Sequence, residues 1–348
     1  MSKRGQHTLN EILSQTAAWA QALEVVESHR DAITQLRKAH PEIRALFTGC
    51  GSTYYLSWAA ASLFQQLTGR GARPFPGGEL ILYPQTAYET DTPALMIAIS
   101  RSGTTSETVA AVQKFQAAGR GPVVAITNYA DTPLTAAADV SLVISAGQEQ
   151  SVAQTRSFAS MYVAVTAFAA LAAGRKDLLS QMQALPVLGE QLIEKYEALA
   201  RSLGENLVLD RFYFLGSGPR YGLACEVNLK MKEMTLTHSE PFHFFEFRHG
   251  PMSMVGESAA VIGLRSSVNA RHEQTVLDEM QAMGGQVLSL GEAEADVCFE
   301  SGLPEEIRNV LYLPVLQLMA YYRSMAKGLD PDQPKNLNAV VTLNLENL

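Results

Sequence analysis

Cysteine is scarce: three residues in 348, Cys50, Cys225 and Cys298, odd in number and widely separated. That argues against a disulfide frame and fits reduced thiols in a cytoplasmic protein. Cys50 and Cys225 lie in apolar surroundings and read as small core residues. A basic tract is also missing, and the formal net charge is −8, so a nucleic-acid partner is not expected. The charge does not exclude an anionic small molecule, because a local site can be positive on an acidic protein. No apolar segment follows the first residues, so no signal peptide is expected. The most apolar stretch, 158–172, is shorter than a membrane span and contains Ser160 and Thr166, which makes it a buried helix. The seven histidines are scattered, with no metal-ligand spacing among them, so no metal is expected. What remains is a globular composition, 47 % hydrophobic and 18 % charged, on a chain long enough for two α/β domains or one large one.

The stretch around which the chain is organised is Ile97-Ala98-Ile99-Ser100-Arg101-Ser102-Gly103-Thr104-Thr105-Ser106-Glu107-Thr108. Leu95 to Ile99 reads as a buried strand, and from Glu107 onward Val109, Val112 and Phe115 show helical spacing. Strand, hydroxyl-rich loop and helix N-terminus are how an α/β protein holds a phosphate, with free N–H groups and the positive end of the helix dipole facing the anion. An ordinary N-cap needs one Ser or Thr. Here Ser100, Ser102, Thr104 and Thr105 crowd around Gly103, more than a cap requires.

Taken in order, residues 8–38 carry a helical pattern. A strand is expected at 43–48, a helix at 54–67, a turn at 69–76 and a further strand at 79–83. After the central loop and its helix come a strand at 122–128, a helix near Leu134, a strand at 140–144 and the apolar helix at 158–173. Strands alternating with helices imply a parallel sheet with helices on both faces. Charge returns over 174–205 on helical spacing, with Pro186 and Gly189 as expected breaks. Then the first strand–loop unit recurs: Phe47, Gly49, Gly51 and Tyr54 match Phe214, Gly216, Gly218 and Tyr221 at a constant offset. A repeat of that length is a duplicated domain. Neither copy has the third glycine of the dinucleotide fingerprint. The counterpart of the hydroxyl loop falls after a strand at 259–264, at Arg265-Ser266-Ser267-Val268-Asn269, which lacks glycine. The second domain is therefore expected to keep the fold without the phosphate loop. The expected boundaries are 1–175 for an N-terminal helix plus the first domain, 176–205 for a helical linker and 206–348 for the second domain with a C-terminal tail.

A second constellation follows Tyr221. On a helix over 222–237, Glu226, Lys230 and Glu233 stand at i, i+4 and i+7, and at about 100° per residue they share one face, whereas Lys232 falls on another. Surface ion pairs of the i,i+4 kind are the ordinary explanation, but this helix is otherwise apolar. The stretch 238–251, dense in aromatic and ionisable residues and ending in His249-Gly250-Pro251, reads as a site lid.

These motifs resemble those of the sugar isomerase (SIS) domain family, and the tandem pair resembles the isomerase half of glutamine–fructose-6-phosphate amidotransferase. Ser100-Arg101-Ser102-Gly103-Thr104-Thr105 is similar to the family's Ser-x-Ser-Gly-x-Thr loop. Glu149, Val152, Ala153, Thr155 and Arg156 match its Pro-Glu-x-x-Val-Ala-Ser-Thr-Lys segment. Glu226, Lys230, Lys232 and Glu233 match its Leu-Glu-x-x-Leu-Lys-x-Lys-Glu helix. Glu246, His249, Gly250 and Pro251 match Glu-Leu-Lys-His-Gly-Pro, and Asp332 to Leu337 matches Asp-x-Pro-Arg-Asn-Leu. The resemblance implies two tandem SIS domains of α/β class, each a doubly wound parallel sheet flanked by helices. It implies that Thr53, Ser100, Arg101, Ser102 and Thr105 hold a sugar phosphate, and that Gly51, Ser52, Val152, Gln154 and Asn338 line the substrate. Glu233 is then the base that moves a proton between C1 and C2, Lys230 and Glu226 position the enediol oxygens, and His249, contributed by the partner subunit of a homodimer, opens the sugar ring.

The chain also departs from that pattern. Ser2 stands where the amidotransferases have a nucleophilic cysteine, and the glutaminase domain that carries it is not expected here. Ala339 occupies the place of the family's C-terminal lysine. Gln154 and Phe245 replace a serine and a glycine, which implies an altered pocket. The resemblance so modified implies an aminosugar-phosphate deaminase/isomerase that converts glucosamine-6-phosphate to fructose-6-phosphate plus ammonia, without cofactor. The alternatives are a fructosamine-phosphate deglycase or other aldose–ketose phosphosugar isomerase, and, in another class, a non-catalytic sugar-phosphate sensor.

Overall fold

Apolar runs too short to be helices become strands, paired only in parallel among the described residues. The computed structural model describes residues 4–40, 43–88 and 92–344; Ser2 lies outside them. The strands are β1 (Arg44–Gly49), β2 (Ala72–Pro76), β3 (Ala94–Ile99), β4 (Val123–Thr127), β5 (Val140–Val143), β6 (Arg211–Gly216), β7 (His238–Phe242), β8 (Ala259–Leu264), β9 (Gln286–Gly291) and β10 (Val297–Cys298). They form two five-stranded sheets, in the orders β2-β1-β3-β4-β5 and β7-β6-β8-β9-β10. The orders are the same, as a duplicated domain requires. The glycine turns agree in detail as well. Gly51 and Gly218 adopt φ 57°, ψ −125° and φ 58°, ψ −135°, a conformation that glycine alone takes without strain. Gly49 and Gly216 are needed for close approach: a Cβ at either would sit 2.5 Å from an atom of Thr53 or of Arg220.

The chain divides into two compact units. One gathers Gln15–Glu149, Arg156–Gln183 and the residues from Asn338 on; the other gathers the N-terminal residues to Ser14, Gln150–Thr155 and Ala184–Leu337. In the first, the β1–β5 sheet packs Leu46, Met96 and Ala98 against Leu80, Val112 and Phe115. The helix Arg156–Ala172 is buried from Ser157 to its end, as its composition predicts. In the second, Tyr213, Leu215 and Val261 of the sheet meet Phe244, Phe247, Val276 and Met280.

Buried polar bonds explain why short, distant pieces join the second unit. The Glu11 carboxylate accepts the Gln150 N–H at 2.6 Å and also takes the Ser151 N–H and hydroxyl. Asp332 accepts the Thr8 N–H at 2.8 Å and its hydroxyl at 2.7 Å, and the Asp332 carbonyl accepts the Val152 N–H at 3.0 Å. Asp332, a residue of the C-terminal motif, thereby ties the N-terminal helix Gln6–Leu13 and the 150–155 segment together.

Four local expectations change. The turn at 69–76 contains β2, and the strand at 79–83 is the helix Gly77–Leu82. β2 lies at the sheet edge and pairs only with β1, which is why Pro74 and Pro76 are tolerated there. The pattern over 8–38 resolves into three helices, Gln6–Leu13, Gln15–Ser28 and Arg30–Ala39. Pro186 sits in the first turn of the helix Leu185–Glu205, where its missing N–H is not needed, and Gly189 is buried inside that helix without breaking it. The interruption comes earlier, at the 3-10 turn Met182–Ala184.

Candidate functional site

The hydroxyl loop leaves β3 and enters the helix Ser106–Ala117. Gly103 holds φ 67°, and a Cβ there would lie 2.2 Å from Thr132 Oγ1. The loop turns inward on itself. Ser100 Oγ accepts the Gly103 N–H at 3.1 Å and lies 3.1 Å from Thr105 Oγ1. Ser102 Oγ accepts the Thr104 N–H at 3.2 Å and the Thr104 hydroxyl at 3.0 Å. Thr105 occupies the N-cap position, yet its side chain makes no capping bond. Its hydroxyl faces Ser100 instead, so an ordinary cap does not explain this cluster. The first-turn N–H groups of a helix have no partner within the helix, and with the dipole they favour an anion.

Arg101 takes a different part from its neighbours. Its side chain is buried; it lies 3.5 Å from Glu149 and donates to the Ala339 carbonyl at 2.7 Å. Glu149 is fully buried and also accepts the Ser157 N–H at 3.0 Å and hydroxyl at 2.5 Å. Glu149 is thus one of the groups that hold Arg101, with the Ala339 carbonyl. Its place in the matched motif was the only sequence signal for it, because a carboxylate and an arginine 48 residues apart give no spacing pattern. The Thr53 hydroxyl is likewise engaged locally, accepting the Cys50 N–H and donating to the Cys50 carbonyl, both at 2.9 Å. Gly51 is exposed and Ser52 buried at the start of the helix Ser52–Thr68, and Asn338 is exposed beside Ala339.

In the second unit the helix Pro219–Thr235 carries Glu226, Lys230 and Glu233 together. The Lys230 ammonium lies 2.6 Å from Glu233 Oε2 and 3.3 Å from Glu226 Oε1. Lys230 and Glu226 are each 1 % exposed, while the Glu233 side chain is 21 % exposed. A solvated stripe of surface pairs is thus ruled out. One ammonium bridges a buried and an accessible carboxylate, an arrangement that supplies a base and an adjacent positive charge. A buried charge left without its partner is costly. Lys230→Met, which takes the cation from beside the buried Glu226 carboxylate, is expected to lower stability by about 3–5 kcal/mol in urea unfolding.

Val152 and Gln154 lie on the 150–155 segment, in the same unit as Glu233. His249 is exposed, one turn past the short helix Phe244–Phe247, with its N–H bonded to the Glu246 carbonyl at 3.0 Å. Side-chain contacts bring together Glu226, Lys230 and Glu233 in one unit and Ser100 with Thr105 in the other, while Ser102 bonds Thr104.

In the loop after β8 the backbone N–H groups are taken by carboxylates of the protein itself. The Ser266 N–H donates to Glu273 Oε2 at 2.5 Å, and the Ser267 N–H to Glu305 Oε2 at 2.6 Å. Arg220 meets Glu305 at 2.7 Å. The arginine, together with the Ser267 and Val268 N–H groups, holds the Glu305 carboxyl below its ordinary range against the opposing effect of burial. Two carboxylates of the protein thus sit at the loop that corresponds to the hydroxyl loop of the first unit.

Comparison with known proteins follows the same lines. A profile of the SIS domain matches residues 36–171 and 209–307. The glutamine–fructose-6-phosphate aminotransferase [isomerizing] of Pyrobaculum aerophilum is 31 % identical over 350 residues, covering 96 % of this chain and 56 % of the relative. The chain spans about half the length of the curated relatives it matches. Among solved structures, tagatose-6-phosphate ketose/aldose isomerase from Escherichia coli superposes with a TM-score of 0.85 at 21 % identity, covering 96 % of both chains. Glucosamine-6-phosphate deaminase from Thermotoga maritima gives 0.76 at 24 % identity, covering 93 % of this chain and 100 % of the other. At those identities the superpositions establish the fold.

Proposed function

Because the chain belongs to the SIS domain family, we propose that it is a phosphosugar isomerase and, more narrowly, an aminosugar-phosphate deaminase/isomerase that turns glucosamine-6-phosphate into fructose-6-phosphate and ammonia. The observation that carries this reading is the Lys230 ammonium held 2.6 Å from the accessible Glu233 carboxylate on a buried helix face. A binding protein has no need of a base with a cation fixed beside it. The names of the relatives, aminotransferases that act on fructose-6-phosphate among them, point to the same substrate class.

In this reading the Ser100–Thr105 loop holds the phosphate, with Ser102 and Thr105 donating to its oxygens and Arg101 supplying charge from its place on Glu149. His249 assists opening of the pyranose ring to the aldehyde. Glu233 removes the C2 proton, the electron pair moves toward the C1 oxygen, and Lys230 stabilises the developing negative charge. Glu233 returns the proton to C1 while a proton passes from the amine nitrogen to the C1 oxygen, which leaves a C1 hydroxymethyl group and an imine at C2. Water adds at C2, the C–N bond breaks, and ammonia leaves with the protons of the added water. Glu226 keeps Lys230 oriented and balances its charge. Val152, Gln154 and Asn338 contact the sugar, with Gly51 and Ser52 beside the phosphate loop, and no metal or organic cofactor takes part.

Ammonia release from a panel of hexosamine phosphates tests the reading. Release from a phosphorylated hexosamine, and not from its unphosphorylated form, is expected. Interconversion of ketose and aldose phosphates with no ammonia from any amine would move the assignment to an aldose–ketose isomerase.

The exposure of His249 motivates a second expectation, that it serves the partner subunit of a homodimer. Mixing inactive His249→Ala and inactive Glu233→Gln chains should restore part of the activity, since hybrid dimers contain one intact set of groups. Continued inactivity after verified subunit exchange would place His249 in its own chain's site or outside catalysis.

A further inference from the structure

The second unit has its own cleft at the position that corresponds to the phosphate loop. It measures about 420 Å³ and is lined by Ser217, from the glycine turn after β6, Glu273, from the helix after β8, and by His243, Phe245, Glu246 and His272. β6 and β8 are the neighbours between which the strand order reverses, and the carboxyl ends of strands at such a reversal are where open α/β sheets bind ligands.

Its chemistry is the opposite of a phosphate site. The loop N–H groups of Ser266, Ser267 and Val268 are already given to Glu273 and Glu305. Two of the lining residues are carboxylic acids, and none among the described lining residues is lysine or arginine. Glu273 is 3 % exposed; its Oε2 accepts the Ser266 N–H and hydroxyl, and its Oε1 is buried with no hydrogen-bond partner. A buried carboxyl oxygen without a donor is costly, and burial raises the Glu273 carboxyl above its ordinary value; a ligand whose N–H or O–H groups reached that oxygen would remove the cost. The cleft also offers flat surfaces. The His243 ring stacks on Tyr221 with centroids 3.9 Å apart, and Phe245, 53 % exposed, stands edge-on to His272 at 6.4 Å. Aromatic faces suit the C–H face of a sugar and the charge of an ammonium. Few polar groups converging in a partly aromatic cleft is the ordinary composition of a small-molecule site.

We propose that this cleft is a second ligand site in each chain, selective for a small polyhydroxylated amine without phosphate, with an unphosphorylated hexosamine as the type ligand. The inference rests on the second unit alone and stands whether or not the chain deaminates glucosamine-6-phosphate.

Calorimetric titration with glucosamine hydrochloride tests it, in the Ser102→Ala/Thr105→Ala double variant so that the phosphate loop cannot contribute. The expected result is one saturable site per chain, weaker for glucose, which lacks the ammonium, and weaker for glucosamine-6-phosphate, whose phosphate meets Glu246 and Glu273. Adding Glu273→Gln should weaken glucosamine by about tenfold or more. Adding Phe245→Ala, a change at an exposed side chain outside the core, should also weaken it several-fold and serves if Glu273→Gln disturbs the loop. No saturable binding of glucosamine, a preference for the phosphorylated sugar, or affinity unchanged in both added variants would each overturn the proposal.

Discussion

Glu233→Gln is expected to lower turnover of a phosphorylated hexosamine by about 100-fold or more, the scale of losing a general base, with little change in its affinity. The substitution keeps the side-chain shape and leaves Lys230 an oxygen to bond, so the helix should remain folded. It removes only the capacity to accept a proton. Affinity should be preserved because the phosphate loop belongs to other elements, β3 and the helix after it. Steady-state kinetics together with a binding titration read the two quantities separately. A fall in affinity with turnover unchanged would make Glu233 a substrate contact, and full wild-type turnover would push the reading toward a sugar-phosphate sensor.

The second large effect belongs to the loop. If the loop holds the phosphate as proposed, Ser102→Ala with Thr105→Ala removes two hydroxyl donors to it, each worth about 1.5–3 kcal/mol when the acceptor is charged. Together they amount to about a 100-fold loss of affinity or more for phosphorylated sugars. Both hydroxyls also serve the loop itself, Ser102 by accepting from Thr104 and Thr105 by its contact with Ser100. Melting curves in the absence of ligand therefore accompany the titration. An unphosphorylated sugar bound as tightly as its phosphate by the wild type would reject the phosphate site.

The parts of this molecule that are periodic or contiguous were legible in the sequence. The runs behind β3 and β8, the long buried helix Arg156–Ala172 and the repeat joining Gly51 to Gly218 all rest on local pattern, and local pattern is what a sequence displays. The Glu226, Lys230 and Glu233 face was legible for the same reason, since helical spacing settles it. The failures are tertiary. β2 is strand because it lies along β1, and its prolines and Arg73 carry no strand signal of their own. Leu80 and Ile81 suggested a strand, but they are the buried side of a short helix packed under the sheet. The partners of Arg101 come from Glu149 and Ala339, far along the chain. That the loop after β8 lacks a glycine could be read directly. That Glu273 and Glu305 take its N–H groups could not, because the two carboxylates approach the loop from a helix after β8 and from the Glu305–Arg308 turn.

Glucosamine-6-phosphate deuterated at C2 provides the most direct test of the central claim, that Glu233 moves the C2 proton of a phosphorylated aminosugar. Incubated with the wild-type protein in ordinary water, it should yield ammonia and fructose-6-phosphate, with deuterium lost from C2 to solvent or carried in part to C1. The Glu233→Gln protein should bind the sugar and keep the deuterium at C2. Deuterium retained at C2 by the wild type while ammonia is released, or washed out equally by both proteins, would contradict the account.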